Sequence, residues 1–222
     1  MSTTKRILER RRFLKTSFAV SAGLTGMMLF PKTGFSNPVD PDASLTIIGP
    51  RDGYSPQIGT LVSMMAFCRA AVVRSVKGLN TEQLDFILDD KANSIGALLY
   101  HLAALDAIFN EVTFKGVEWG KWDDNFAKKY LTAMKLGDPA RKTIKGNSLD
   151  FYLNLLQETR ETTLAEFKKR DDQWLMIVDE SWAWGPTNNY CKWFHVCEHE
   201  SHHQGQIALI KTRLPGLKSS NE

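Results

Sequence analysis

Apolar positions recur at the period of an α-helix over four long stretches of this chain. The first stretch opens at Ser55-Pro56, a favourable N-cap followed by Pro in the first helical turn, and it ends at Gly78. Its apolar residues are Ile58, Leu61, Val62, Met65, Val72, Val73 and Val76. Because these positions lie three or four apart, they predict an amphipathic helix.

Three further stretches show the same period and predict helices over residues 93 to about 112, 148 to about 170, and about 187 to 214. The last is stopped by Pro215-Gly216. No stretch alternates apolar and polar residues as a half-buried strand would. The four helices therefore predict an all-α protein, with a four-helix bundle as the favoured architecture.

Two long connections join these helices. Residues 114–147 contain one predicted short helix, Phe126–Leu136, and residues 171–186 are rich in aromatic side chains. Connections of this length are often functional. They also indicate that the helices do not follow each other in a simple up-down-up-down order.

The first 36 residues form a separate basic segment. Residues 5–15 are rich in Lys and Arg, and an apolar run of about 15 residues follows, too short to span a membrane comfortably. The segment resembles a twin-arginine export signal with Arg10 and Arg11 as the pair, and a membrane anchor or a basic tail is the alternative. We expect a signal peptide over 1–36, a linker over 37–53 and a folded domain over 54–222.

Export by this route predicts a periplasmic or extracellular protein. No Cys follows the apolar run to carry a lipid, so we expect no stable membrane anchor after the signal is cleaved. The signal also holds seven Lys and Arg against one Glu, which leaves 21 basic and 24 acidic residues in the mature chain. A net charge of −3 without a basic run gives no reason to expect a nucleic-acid partner.

The histidines are concentrated on one predicted helix. Four of the five are His195, His199, His202 and His203, and the fifth is His101. Each helical residue advances by about 100°, so His203 lies about +40° and His195 about −40° from His199. His202 falls near −60° and Gln206 near −20° on the same count. One helix face therefore carries the four histidines of this helix and Gln206.

This arrangement predicts a metal site. His199 and His203 are four residues apart and can share one ion, and His101, mid-helix among apolar residues, is the candidate third ligand. Three histidines with an open position are typical of a catalytic divalent metal. His195 and His202 are then candidate acid–base or hydrogen-bonding groups. The alternative is a core histidine at 101 and solvent-facing histidines at the mouth of the bundle.

Two motifs resemble the DinB-like superfamily of metalloproteins. The stretch His195-Val-Cys-Glu-His199-Glu-Ser-His-His203-Gln-Gly-Gln206-Ile is similar to its last-helix motif, and Asn93-Ser94-Ile95-Gly96 through His101-Leu102 is similar to its second helix. The chain departs from the pattern at Gln204, where the family often has Arg. That change removes a cation near the site and argues against an anionic substrate.

The resemblance implies a four-helix bundle in up-down-down-up order, often a homodimer. It implies zinc or nickel on three histidines that correspond to His101, His199 and His203. It also implies chemistry on a small molecule in which the metal activates water or a thiol, as in a hydrolase or a thiol S-transferase. Because cytosolic thiols are scarce outside the cell, predicted export favours water over a thiol.

A zincin protease is a competing interpretation. The run His199-Glu200-Ser-His-His203 fits His-Glu-x-x-His, with Glu200 as the general base. Only 19 residues follow His203 to supply a third ligand, and Gln206 stands where the extended motif needs Gly. Glu200 also falls near +100°, at the margin of the histidine face. We therefore favour the three-histidine site.

A bundle that only binds a metal or a small ligand is the third interpretation. An aromatic pocket above the metal would distinguish it, and candidate side chains for such a pocket are Tyr100, Trp182, Trp184, Tyr190 and Trp193. Aromatic residues in such positions are more often part of the core. Cys191 and Cys197 lie about 9 Å apart along one predicted helix, too far for a disulfide, and a link from Cys68 is left open.

Overall fold

The computed structural model describes residues 45–216; the predicted signal peptide, most of the predicted linker and residues 217–222 lie outside this range. The described chain is helical, which confirms the predicted all-α class. The helices are α1 (Pro56–Val76), α2 (Thr81–Asp85), α3 (Ile95–Phe109), α4 (Asp124–Lys135), α5 (Gly137–Thr143), α6 (Leu149–Phe167), α7 (Asp172–Met176) and α8 (Asn189–Lys211). A π-helical turn, Asn110–Phe114, continues α3.

The helix boundaries follow the capping residues in the sequence. Ser94 and Ser148 each accept a hydrogen bond from a backbone N–H three residues on, which begins α3 and α6 as predicted. The fourth long helix begins later than predicted because Thr187–Asn188 forms strand β2, paired antiparallel with β1, Val178–Asp179. Asn188 then caps α8 through the backbone N–H of Cys191.

Side-chain contacts give the directions of the four long helices. Helices α1 and α8 run parallel, since Arg69 meets Glu200 and Lys211 Nζ, further along α8, donates to the carbonyl of Ser75. Helix α3 is antiparallel to α8, because His101 meets His199 while Thr113, beyond the end of α3, accepts from Trp193 near the start of α8.

Helices α3 and α6 are parallel to each other. Gly96 packs on the Tyr152 ring near their N-termini, and Thr163 donates to Asn110 near their C-termini. A Cβ at position 96 would lie 2.6 Å from the Tyr152 hydroxyl, so only Gly permits this approach. Together with the α1–α8 pair, this confirms the up-down-down-up order.

The apolar core has two clusters, one at each end of the bundle. One includes Val76, Leu98 and Ile207, and the other includes Ile58, Phe167 and Trp193. Helices α1 and α3 are apolar enough to cross a membrane by length and composition alone. Burial of α3 in both clusters accounts for its composition within this bundle.

A buried ionic quartet lies between the two clusters and takes one residue from each long helix. Its members are Arg69 of α1, Asp106 of α3, Arg160 of α6 and Glu200 of α8. Arg160 binds both Asp106 oxygens, at 3.0 and 3.3 Å, and also binds Glu200. Burial alone would lower the pKa of Arg160, but the two carboxylates outweigh burial and raise it.

Cys68 and Cys197 meet beside this quartet. Their sulfur atoms lie 3.5 Å apart between α1 and α8, and all three cysteines are free thiols. Cys191 is exposed in the first turn of α8, Cys197 is buried, and the two are not joined by a disulfide.

We predict that the quartet is stabilising only when its charges balance. Arg160→Met leaves two buried carboxylates with one cation and should lower the free energy of unfolding by about 3–5 kcal/mol. The double variant Arg160→Met/Asp106→Leu restores neutrality and should recover most of that loss. Urea unfolding at pH 7 measures both.

The control is Lys129→Met, which breaks the exposed pair between Lys129 and Glu158 and should cost less than about 1 kcal/mol. If the double variant is as unstable as Arg160→Met, charge balance is not the reason for the quartet.

Candidate metal centre

The structure brings together the three histidines predicted as ligands. His101 projects from α3 and His199 and His203 from successive turns of α8. Nε2 of His199 lies 2.9 Å from Nε2 of His101 and 2.9 Å from Nε2 of His203. We call these residues the histidine triad.

Hydrogen bonds on the far side of two rings fix which nitrogen faces the centre of the triad. Nδ1 of His101 donates to the carbonyl of Ala133 at 3.0 Å, and Nδ1 of His203 donates to Oε1 of Gln206 at 2.8 Å. Because Nδ1 carries the proton in both rings, their Nε2 atoms present lone pairs. Such partners orient metal-binding histidines.

The resulting donor set fits a divalent cation. Three Nε2 atoms converge, and only that of His199 can carry a proton. That proton can form a hydrogen bond with one neighbouring Nε2 atom, so the other close contact between Nε2 atoms is repulsive. Nitrogen ligands of tetrahedral zinc lie about 3.3 Å from one another, which small ring movements here would reach. The triad could therefore hold a divalent metal ion, with a ligand set that suits zinc or nickel.

The surroundings keep the triad uncharged at neutral pH. Burial, followed by repulsion from the other imidazoles, lowers the pKa of His101 to about 4 and that of His199 to about 3. Burial also lowers the pKa of His203. Because only neutral imidazole binds a metal, the site needs no deprotonation before it binds one.

His195 lies one turn before His199 and borders the triad. Its ring centroid is 5.0 Å from that of His199, and its Nδ1 is 2.8 Å from Oε1 of Glu198. The carboxylate can only accept, so Nδ1 donates and Nε2 is left to accept a proton. His195, Glu198 and His199 form a second group whose side-chain atoms could bind a metal. In this group, however, Nδ1 of His195 already donates to Glu198.

The other two candidate acid–base residues are placed differently. His202 is exposed, with its ring 6.4 Å from that of His199. Glu200 is 1% exposed, faces the ionic quartet and binds Arg69 and Arg160 through Oε1. Glu200 is thus held away from the triad, which removes the general base that a zincin mechanism needs.

A cavity of about 690 Å³ opens beside the triad. We call it the tryptophan pocket, since Trp119, Trp182 and Trp184 line it together with Leu105, Phe109, Met134 and His195. Of the aromatic residues proposed from sequence for such a pocket, Trp193 is instead fully buried in the core, and Tyr100 packs on Tyr130. Trp119 and Met134 come from the long 114–147 segment, Met134 from helix α4, and neither residue is assigned to the site from the sequence.

The fold and the triad together are those of a DinB-like bundle with a candidate metal site. The chain belongs to the mycothiol-S-transferase family, whose model matches residues 60–216. A crystal structure of a Streptococcus pneumoniae protein has the same fold, with a TM-score of 0.54 and 15% sequence identity over 70% of this chain and 90% of that one. Comparison with functionally curated proteins gives no match.

We predict that metal binding needs all three triad histidines. The protein purified without chelators should hold about one divalent ion per chain, and His101→Ala, His199→Ala and His203→Ala should each abolish it, because two ligands make a weak site. Mass spectrometry of metal content measures this directly. His202→Ala is the matched control and should retain the metal; loss there with retention in His203→Ala would contradict the assigned ligand set.

Proposed function

We propose that this protein is a metal-dependent S-transferase that joins a low-molecular-weight thiol to a small electrophilic molecule. The observation that carries the proposal is the convergence of three Nε2 atoms, two of them with their protons held on the far side of the ring. The name of the mycothiol-S-transferase family supports a thiol as the nucleophile. Water is the alternative nucleophile, since predicted export favours it.

In this proposal His101, His199 and His203 would hold zinc or nickel. Such an ion would supply Lewis-acid chemistry, lowering the pKa of a thiol or water brought to it. These three histidines need not lose a proton before they bind the metal, because burial already lowers their pKa.

His195 is the proposed proton acceptor. Its Nδ1–H is held by Glu198, its ring contacts His199 on one side and Trp184 on the other, and it is half-buried. Nε2 takes the thiol proton as sulfur forms its bond to the electrophilic carbon. The leaving group departs with the electrons of the broken bond, and the proton passes from His195 to it or to solvent.

We predict that His195→Gln lowers turnover by about 100-fold or more while metal content is unchanged, because a positioned proton acceptor contributes about that much. The assay follows consumption of mycothiol with 1-chloro-2,4-dinitrobenzene, and hydrolysis of 4-nitrophenyl acetate without thiol. His202→Gln is the control and should keep most of the activity. Turnover unaffected by His195→Gln would refute the role of His195, and thiol-independent turnover alone would identify a hydrolase.

We also propose that residues 1–36 direct export by the twin-arginine route, to the periplasm or beyond. The support is the Arg10-Arg11 pair followed by an apolar run. In a bacterium with this translocase, Arg10→Lys/Arg11→Lys in the full chain should retain the protein in the cytoplasm, as cell fractionation would show. Lys5→Arg/Lys15→Arg is the charge-matched control. Equal export of the twin-lysine variant would mean that another route is used.

A further inference from the structure

The triad does not line the tryptophan pocket, but three lining residues are close to it along the chain or to its hydrogen-bond partner. Leu105 is one turn beyond His101 on α3, and His195 is one turn before His199 on α8. Met134 follows Ala133, whose carbonyl holds His101. A molecule in the pocket therefore lies against the residues that flank both halves of the metal site.

The walls of the pocket are aromatic and set at right angles. Trp182 meets Trp119 and Trp184 edge-to-face, with centroids 5.6 Å apart and interplanar angles of 87° in both pairs. Trp119 and Trp184 are each about half exposed, at 51% and 54%, so part of each side chain is accessible to a ligand. Flat aromatic molecules stack on such faces or meet their edges.

The polar groups of the pocket disfavour anionic and sugar-like ligands. Asp179 is held by Lys192 at 2.8 Å and by Ser181, so it is not free for a ligand. Within residues 45–216, no Lys or Arg lines the cavity, which disfavours an anion. The other polar side chains of the lining are Ser181, His195 and the solvent-exposed Glu118, too few to satisfy the many hydroxyls of a sugar-like thiol.

One donor in the wall lacks a partner. Trp182 is 9% exposed, and its Nε1–H is buried without an acceptor in the described chain. An unpaired buried donor is costly, so a ligand with an oxygen beside its ring would gain from pairing with it.

We infer that the tryptophan pocket binds an uncharged, planar aromatic molecule carrying an acceptor oxygen. That this molecule is the electrophilic substrate rests on the proposed transferase function. That the pocket binds such a molecule does not depend on that function. The volume of about 690 Å³ lies within the range of small-molecule sites and is ample for one or two fused rings.

The test uses 1,3-dinitrobenzene, which is planar, neutral and carries acceptor oxygens but does not react with thiols under the conditions used. Isothermal titration calorimetry on the metal-free protein should show saturable binding. Trp184→Ala should weaken that binding at least tenfold. Phe194→Ala removes an exposed aromatic side chain of α8 that does not line the pocket, and it is the matched control. The anionic 3,5-dinitrobenzoate should bind at least tenfold more weakly than the neutral probe.

The outcomes separate this inference from the proposed function. Binding that depends on Trp184, without any transferase turnover, supports the pocket and overturns the function. Turnover with no probe binding, or with binding that Trp184→Ala leaves unchanged, overturns the pocket. Displacement of the probe by mycothiol would assign the pocket to the thiol and also overturn the inference.

Discussion

The buried ionic quartet is the constraint on which the site depends. Glu200 must face the arginines of α1 and α6, since a buried carboxylate turned away from them would be unpaired. His199 precedes it by one residue, about 100° around the helix, so fixing Glu200 also fixes the direction of His199. On α3, Asp106 and His101 are related in the same way by about 140°. The quartet thus sets the rotation of both helices that carry the triad.

The long connection before α6 completes what the bundle begins. Helix α4 brings the Ala133 carbonyl to His101 Nδ1. Because a backbone carbonyl orients this ring, no additional polar side chain is needed for that purpose. The second connection, residues 171–186, also positions side chains near the site, through the short hairpin of β1 and β2. The pairing of β1 with β2 and the bond from Lys192 to Asp179 hold the segment that carries Trp182 and Trp184. The two connections between the long helices therefore each contribute residues to the surroundings of the site.

Much of this could be predicted from periodicity, and the remainder could not, for physical reasons. The four long helices, the histidine face and the nearness of Gln206 to His203 follow from about 100° per residue, which is a local property. The ion partners of Glu200 and the carbonyl of Ala133 depend on contacts between residues far apart in the chain, which no local period encodes. Glu200 is an example. Its helical angle places it at the margin of the histidine face, but its position in the structure is explained only by its ion pairs with Arg69 and Arg160.

The charges around the site bear on the kind of substrate it accepts. Gln204 stands where the DinB-like pattern often has Arg, and it is half-buried beside His203. The buried Lys192 lies with its Nζ 4.2 Å from the centroid of the Trp182 ring and is paired with Asp179. An anionic molecule in the pocket would thus meet no Lys or Arg side chain among the lining residues of the described chain to offset its desolvation. A neutral aromatic molecule incurs no such cost, so the substitution at 204 and the composition of the pocket favour the same class of ligand.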